Sequence, residues 1–117
     1  YVQYTHARAC SVLRRAQDAQ AAEADLAALT DDEAQAVLRA LARFPEAVRA
    51  AQRENEPCHV TRAALEIAKA FNKYYYEHRI LDDDPKATSA RLLLARAVER
   101  VIALGLYLIG VSAPEAM

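Results

Sequence analysis

Two tyrosines and two arginines recur along the opening stretch of the sequence, YVQYTHARACSVLRRA. Tyr1, Tyr4, Arg8 and Arg15 follow one another at intervals of three, four and seven residues. A helix turns by about 100° per residue, so all four fall on one edge, beside the apolar stripe. Aromatic rings stack on nucleobases and guanidinium groups pair with phosphates. The spacing therefore indicates a candidate RNA-binding edge, although tyrosines packed at a bundle margin beside ordinary surface arginines would give the same pattern.

A second edge of this kind lies around the stretch KYYYEHR. Asn72, Tyr75 and Arg79 stand at i, i+3 and i+7, again beside an apolar stripe. Only 7% of the chain is aromatic, so this concentration of rings and bases favours a second stacking platform. The alternative is that Tyr74 belongs to the core and Tyr76 stands there by chance.

No arrangement in the sequence is typical of a catalytic or metal site. The three histidines lie far apart, and no serine or cysteine has a base at a suitable spacing. Two glycines cannot form a glycine-rich phosphate loop, and neither CxxC nor HxxxH occurs. We expect no catalytic residue, no metal ligand and no cofactor in this domain. His78 is expected to be a hydrogen-bonded core histidine, and residues 82–84 a solvated acidic loop.

Length and composition bound the fold and the environment. A chain of 117 residues suits one domain, and its many alanines with few glycines favour helices. Two cysteines are too few for a disulfide framework, which indicates reduced thiols and a cytoplasmic protein. No uncharged apolar run is long enough for a membrane span.

The net charge of −1 does not by itself indicate a nucleic-acid partner. The charge is unevenly distributed, however: residues 1–20 carry +2, residues 21–57 carry −4 and residues 58–117 carry +1. Phosphate contacts are therefore expected on the terminal helices rather than in the middle of the chain.

Hydrophobic periodicity and end signals predict an all-α bundle of about five helices. Thr30 and Glu33 resemble a capping box, and Pro45 fits the first turn of a new helix. Gly105 lies inside the last helix, which predicts the close approach of a neighbouring helix there. The predicted helices cover residues 2–20, 30–43, 45–54, 59–81 and 88 or 89 to 109, with residues 21–29 as a helical extension or a loose arm.

Three ordered motifs resemble the C-terminal anticodon-binding domain of arginyl-tRNA synthetases. They are the opening YVQYTHARACSVLRRA, the helix ARLLLARAVERVIALGLYLIGV and the tail APEAM. The resemblance covers nearly all of residues 1–117 and is weakest over residues 18–60. It implies a single helical domain, the last portion of a larger cytoplasmic class I synthetase that joins arginine to tRNA-Arg. These domains usually have an arginine before the final methionine, and Ala116 stands at that position in this sequence.

The resemblance also implies partners and roles. The domain would bind the anticodon stem-loop of tRNA-Arg, and the other partner would be the catalytic domain of the same chain, in a monomer. ATP and Mg would belong to that catalytic domain, which lies outside this sequence. A related domain of a cysteinyl synthetase or of the glycyl enzyme's β subunit, and a helical protein-interaction module without RNA, are the alternatives. The residues expected at the anticodon are Tyr1, Tyr4, Arg8, Arg15, Asn72, Tyr75, Arg79 and Met117.

Overall fold

The structure, a computed structural model, describes residues 1–16 and 23–117. These residues form α-helices and one short 3₁₀ turn, Leu26–Leu29, with no strand among them, so the predicted all-α class is confirmed. The predicted helix over residues 2–20 ends at Arg15, and the part of that prediction beyond residue 16 lies outside the described residues, as does the start of the predicted arm. The helices of the described part are α1 (Val2–Arg15), α2 (Asp32–Glu54), α3 (Cys58–Glu77) and α4 (Pro85–Leu108).

The described residues contain four helices rather than five, because α2 runs without interruption through Pro45. The predicted restart at that residue is wrong. An interior proline removes the hydrogen bond to the carbonyl four residues earlier and costs about 3 kcal/mol. The proline ring itself is exposed, whereas Val37, Ala40 and Phe44 are buried along one face of the same helix. Burial of that continuous face against α3 and α4 outweighs the local cost.

The start of α2 also differs from the predicted capping box. Asp31, not Thr30, is the N-cap, and its carboxylate accepts a hydrogen bond of 2.9 Å from the Ala34 N–H. Glu33 accepts instead from His78, whose Nε2 lies 2.8 Å from its carboxylate and 3.0 Å from that of Asp31. His78 is thus hydrogen-bonded as expected, but it is half-buried and joins the start of α2 to the end of α3.

Helix α3 ends earlier than predicted and α4 begins earlier. The backbone of His78 is extended (φ −131°, ψ 140°), so α3 stops at Glu77 rather than near residue 81. Asp84 is extended, as is usual for a residue before proline, and its carboxylate accepts a hydrogen bond of 3.0 Å from the Lys86 N–H. Pro85 then occupies the first turn of α4, where its missing N–H costs no helical hydrogen bond.

Helix α4 packs against the other three helices and closes the core. A Cβ added at Gly105 would lie 3.2 Å from the Phe44 ring and 3.6 Å from Ala64 Cβ. The predicted close approach at this glycine is confirmed. No helix in the described part of the chain is long and apolar enough to cross a membrane. The largest fully buried side chains are those of Val12, Val37, Ile67, Phe71, Tyr74, Val98 and Ile102.

Candidate nucleic-acid interface

The Arg8 guanidinium lies among three tyrosine rings where α1 crosses α3. Its central carbon is 5.0 Å from the ring centroid of Tyr4, 4.6 Å from that of Tyr75 and 5.2 Å from that of Tyr76. We call these three rings the tyrosine cage. A cation at such distances from an aromatic face is attracted by the ring quadrupole. The cage therefore fixes a positive charge at an aromatic surface without neutralising it.

A series of hydrogen bonds through buried side chains holds Arg8 in the cage. Arg8 donates a hydrogen bond of 2.8 Å to Asn72 Oδ1, and Asn72 Nδ2 donates one of 2.8 Å to Thr5 Oγ1. Thr5 in turn donates to the main-chain carbonyl of Tyr1 at 3.1 Å. Thr5 is fully buried and Asn72 is only 7% exposed. Because buried polar groups are costly to leave unpaired, this series of hydrogen bonds holds Arg8 in one orientation.

The charge of Arg8 is open to an external partner. Within the described residues its hydrogen bonds go to neutral oxygens: Asn72 Oδ1, and the hydroxyls of Tyr4 and Tyr76 at 3.4 Å each. Partial burial acts to lower the pKa of Arg8, but the hydrogen bonds to Tyr76 and Tyr4 outweigh it and raise the pKa above its ordinary value. The guanidinium stays charged at every physiological pH.

Two grooves meet beside the cage. The first has a volume of about 270 Å³ and is lined by Tyr4, Arg8, Arg15, Tyr75 and Met117, among others. The second, of about 350 Å³, lies between the start of the α3–α4 loop and α1. Arg15 and Tyr75 line both grooves, and the second adds Arg79. Two further cations, Arg15 and Arg79, therefore line the grooves beside the tyrosine cage.

The acidic loop before α4 helps to place Arg79. Arg91 donates hydrogen bonds to the Arg79 carbonyl at 2.8 Å and to the Asp82 carboxylate at 2.9 Å. The Asp83 N–H and then Arg91 stabilise the Asp82 carboxylate, which lowers its pKa. Residues 82–84 are exposed, as the predicted solvated loop requires, and two of the three acids also have structural partners, since Asp84 caps α4. The ion pair with Asp82 holds Arg91 in place, and Arg91 in turn anchors the backbone of Arg79.

The C-terminal tail, residues 111–117, lies along α1. Side chains of Gln3, His6 and Arg14 contact main-chain oxygens of the tail, and the tail ends at the first groove. Met117 is 74% exposed there, with its side chain next to the surface of α1. The last residue of the sequence thus borders the tyrosine cage.

The structure brings most of the predicted residues to one open surface. Tyr4 is half exposed in the cage, and Tyr1 precedes it by one helical turn with a side chain that is 64% exposed. Asn72 was predicted as an RNA contact, but its burial means that it acts on the surface through Arg8. Tyr75 is partly buried and contacts Arg8 from α3.

Sequence reasoning missed two parts of the site. The sequence pattern does not decide whether Tyr76 has a role, yet its ring and hydroxyl both contact Arg8. The signal available was its position four residues after Asn72, which a helix places one turn above it. Thr5 lies on the buried face of α1, and its hydroxyl accepts the hydrogen bond that orients Asn72. Hydropathy alone does not reveal that role.

Comparison with known proteins places the chain. The DALR anticodon binding domain family matches residues 2–117. The whole chain is 48% identical to parts of the arginine–tRNA ligases of Alkaliphilus metalliredigens and Ligilactobacillus salivarius, covering 21% and 20% of them. It also resembles the structure of Thermus thermophilus arginyl-tRNA synthetase, with a TM-score of 0.90 and 35% identity over all of this chain and 21% of that one.

The chain belongs to the DALR anticodon-binding domain family. Within that family the relatives named above are arginine enzymes rather than cysteinyl or glycyl ones, which confirms the resemblance stated from the sequence. The chain spans about a fifth of the length of these relatives and corresponds only to that part of them.

Proposed function

We propose that this domain binds the anticodon stem-loop of tRNA-Arg as the C-terminal domain of an arginine–tRNA ligase. The observation that carries the proposal is Arg8, a permanently charged group held in the tyrosine cage at the edge of an open groove. RNA loops offer what this surface would recognise, namely unstacked bases beside phosphates.

The proposed roles follow from exposure and chemistry. Tyrosines that are exposed or partly exposed at this surface stack on splayed bases, each stacked base contributing about 1–3 kcal/mol. Arginines that line the two grooves pair with phosphates or base edges, while buried Asn72 orients one of them. The stacking residues are Tyr1, Tyr4 and Tyr75, the cationic residues are Arg8, Arg15 and Arg79, and Met117 adds an apolar contact from the tail.

The remaining partners of the proposal lie outside this domain. In the full-length ligase a catalytic domain of the same chain would use ATP and Mg²⁺ to activate arginine, and we propose no cofactor for the domain described here. We propose that the protein acts as a monomer in the cytoplasm. The two cysteines, both free in the structure, fit a reducing compartment.

Binding of a fluorescent tRNA-Arg anticodon stem-loop to this chain, followed by anisotropy at several salt concentrations, tests the proposal. Arg8→Ala should weaken binding at least tenfold, because it removes a charged contact and the packing of three rings. Arg39→Ala is the matched control: it removes the same charge from an exposed position on α2, in the acidic middle of the sequence. It should change the affinity by less than about twofold.

Stem-loops altered at single anticodon positions measure base readout. We expect at least one altered loop to bind about tenfold more weakly, the cost of one lost stacking or base-edge contact. Equal affinity for every loop would refute base recognition by this surface. Absence of saturable binding at low salt would refute the RNA proposal and favour a protein-interaction module.

A further inference from the structure

The tail runs parallel to α1 and is held by three successive side chains. Gln3 donates to the Ser112 carbonyl at 2.9 Å, and Arg14 donates to the Glu115 carbonyl at 2.9 Å. Between them, His6 Nδ1 lies 2.8 Å from the Pro114 carbonyl. A carbonyl oxygen only accepts, so Nδ1 carries the proton of that bond. The order of contacts along both segments fixes the direction and the register of the tail.

The start of the tail is fixed as well. Gly110 has a left-handed backbone (φ +79°), and its N–H and that of Val111 bond to carbonyls of the last turn of α4. The Tyr107 and Leu106 carbonyls accept these bonds at 3.1 and 2.8 Å, which is the Schellman arrangement of a helix end. The tail therefore leaves α4 in a defined direction and meets α1 within two residues.

His6 is the most buried of the three α1 contacts. It is 2% exposed, and its Nε2 lies 3.2 Å from the Glu99 carboxylate on α4. One ring thus joins α1, α4 and the tail. Gln3 and Arg14 make their contacts nearer the surface, where solvent competes with them. The His6 ring consequently has fewer alternative positions than the side chain of Gln3 or Arg14.

We propose that His6 is a positioning residue for RNA binding: it holds the tail so that Met117 forms one wall of the groove beside the tyrosine cage. This inference rests on the function proposed above. All three contacts go to main-chain oxygens, so they depend on the length of the tail and not on its side chains. Ala116, where the resemblance implies arginine, is compatible with this arrangement because its side chain carries none of the contacts.

The position of the tail can be measured without RNA. Met117 is the single methionine of the sequence, so a ¹³C-labelled methionine methyl group gives one assigned NMR signal from the tail. His6→Ala should move this signal to the position of an unstructured chain end. Arg14→Ala, an exposed change that threatens folding less, should move it part of the way. His59→Ala is the matched control, since His59 pairs with Glu54 at the start of α3 and should leave the signal unchanged.

A thermodynamic cycle measures the effect on binding of the stem-loop. His6→Ala should weaken binding about tenfold, and deletion of residues 112–117 should weaken it by a similar factor, because a free tail contributes little once it must be ordered. In the shortened chain His6→Ala should have no further effect. Circular dichroism and thermal melting identify variants that fail to fold. For these, Gln3→Ala supplies the cycle, because Gln3 is a neutral tail contact that does not line the first groove.

The outcomes separate the two proposals. An unchanged methyl signal in folded His6→Ala, or an equal loss of affinity with and without the tail, would overturn the positioning role. If the unmodified chain binds no stem-loop, the RNA function fails, while the methyl signal still reports whether His6 holds the tail.

Discussion

Substitution of Asn72 by Asp tests whether the surface works through an open charge on Arg8. The two side chains have the same shape, so Oδ1 stays about 2.8 Å from the Arg8 guanidinium and the contact becomes an ion pair. The hydrogen bond that Nδ2 donates to Thr5 is lost, at a cost of about 1 kcal/mol, and the new ion pair with Arg8 offsets part of that cost. The free energy of unfolding should therefore change by no more than about 1 kcal/mol.

Binding should respond more strongly than stability. A phosphate on the open side of Arg8 would lie about 6 Å from the new carboxylate, and their repulsion is about 0.7 kcal/mol in water and about 2.8 kcal/mol at an effective dielectric of about 20. Affinity for the stem-loop should fall about 3- to 100-fold. One effective cation is also lost, so the slope of log K against log salt should shrink by about 0.7.

Anisotropy titrations between about 50 and 200 mM salt measure both quantities. Asn55→Asp is the matched control, because it makes the same chemical change at the left-handed residue that ends α2. That position lies at the opposite end of α3, about 25 Å along the helix from the cage. Wild-type affinity for Asn72→Asp, or an equal loss for Asn55→Asp, would refute the reasoning.

Three further predictions concern the core, a buried hydroxyl and the tail. Gly105→Ala should lower the free energy of unfolding in urea by about 1 kcal/mol, since crowding of Phe44 outweighs the gain in helix propensity; a rise would contradict the packing described here. Burial raises the pKa of Tyr74 above its unfolded value of about 10, so stability that is complete below that pH should fall as the pH rises through it. Tyr74→Phe, which also removes a buried hydroxyl that lacks a hydrogen-bond partner in the structure, should flatten that decline between about pH 9 and 11, and equal slopes in a denaturation series would refute this. Ala116→Arg adds a cation beside the first groove and should strengthen stem-loop binding about 3- to 10-fold with a steeper salt dependence, whereas unchanged titrations would argue against RNA over the tail.

The sequence predicted the helices where periodicity and end signals agree. The close approach at Gly105 was confirmed, because a glycine inside a helix is costly and indicates a neighbouring helix that leaves little room for a Cβ. Pro45 misled because a proline in the first turn and a proline inside a well-packed helix look alike in sequence. Only the buried face of α2 decides between them, and that face depends on the other helices.

In the candidate site, too, contacts that follow from local spacing could be predicted, whereas contacts between residues far apart in sequence could not. The edge of Tyr4 and Arg8 follows from spacing within one helix, and the structure places the Tyr75 ring against the same arginine. The contact between His6 and Pro114 spans 108 residues of sequence and depends on the length and direction of α4. No local pattern encodes such a distance, so the role of the tail's attachment could not be found before the structure.

The tyrosine cage also bears on how folding would be coupled to the proposed RNA binding. An arginine that is free in solution loses conformational entropy when it grips a ligand, at a cost of about 0.5–1.5 kcal/mol. Arg8 has already lost that freedom, because Asn72 and the three rings order it when α1 meets α3. Changes that loosen this helix crossing would therefore weaken RNA binding at sites that never touch RNA. Affinity should also decline on heating before the bundle itself melts, as Arg8 regains its motion.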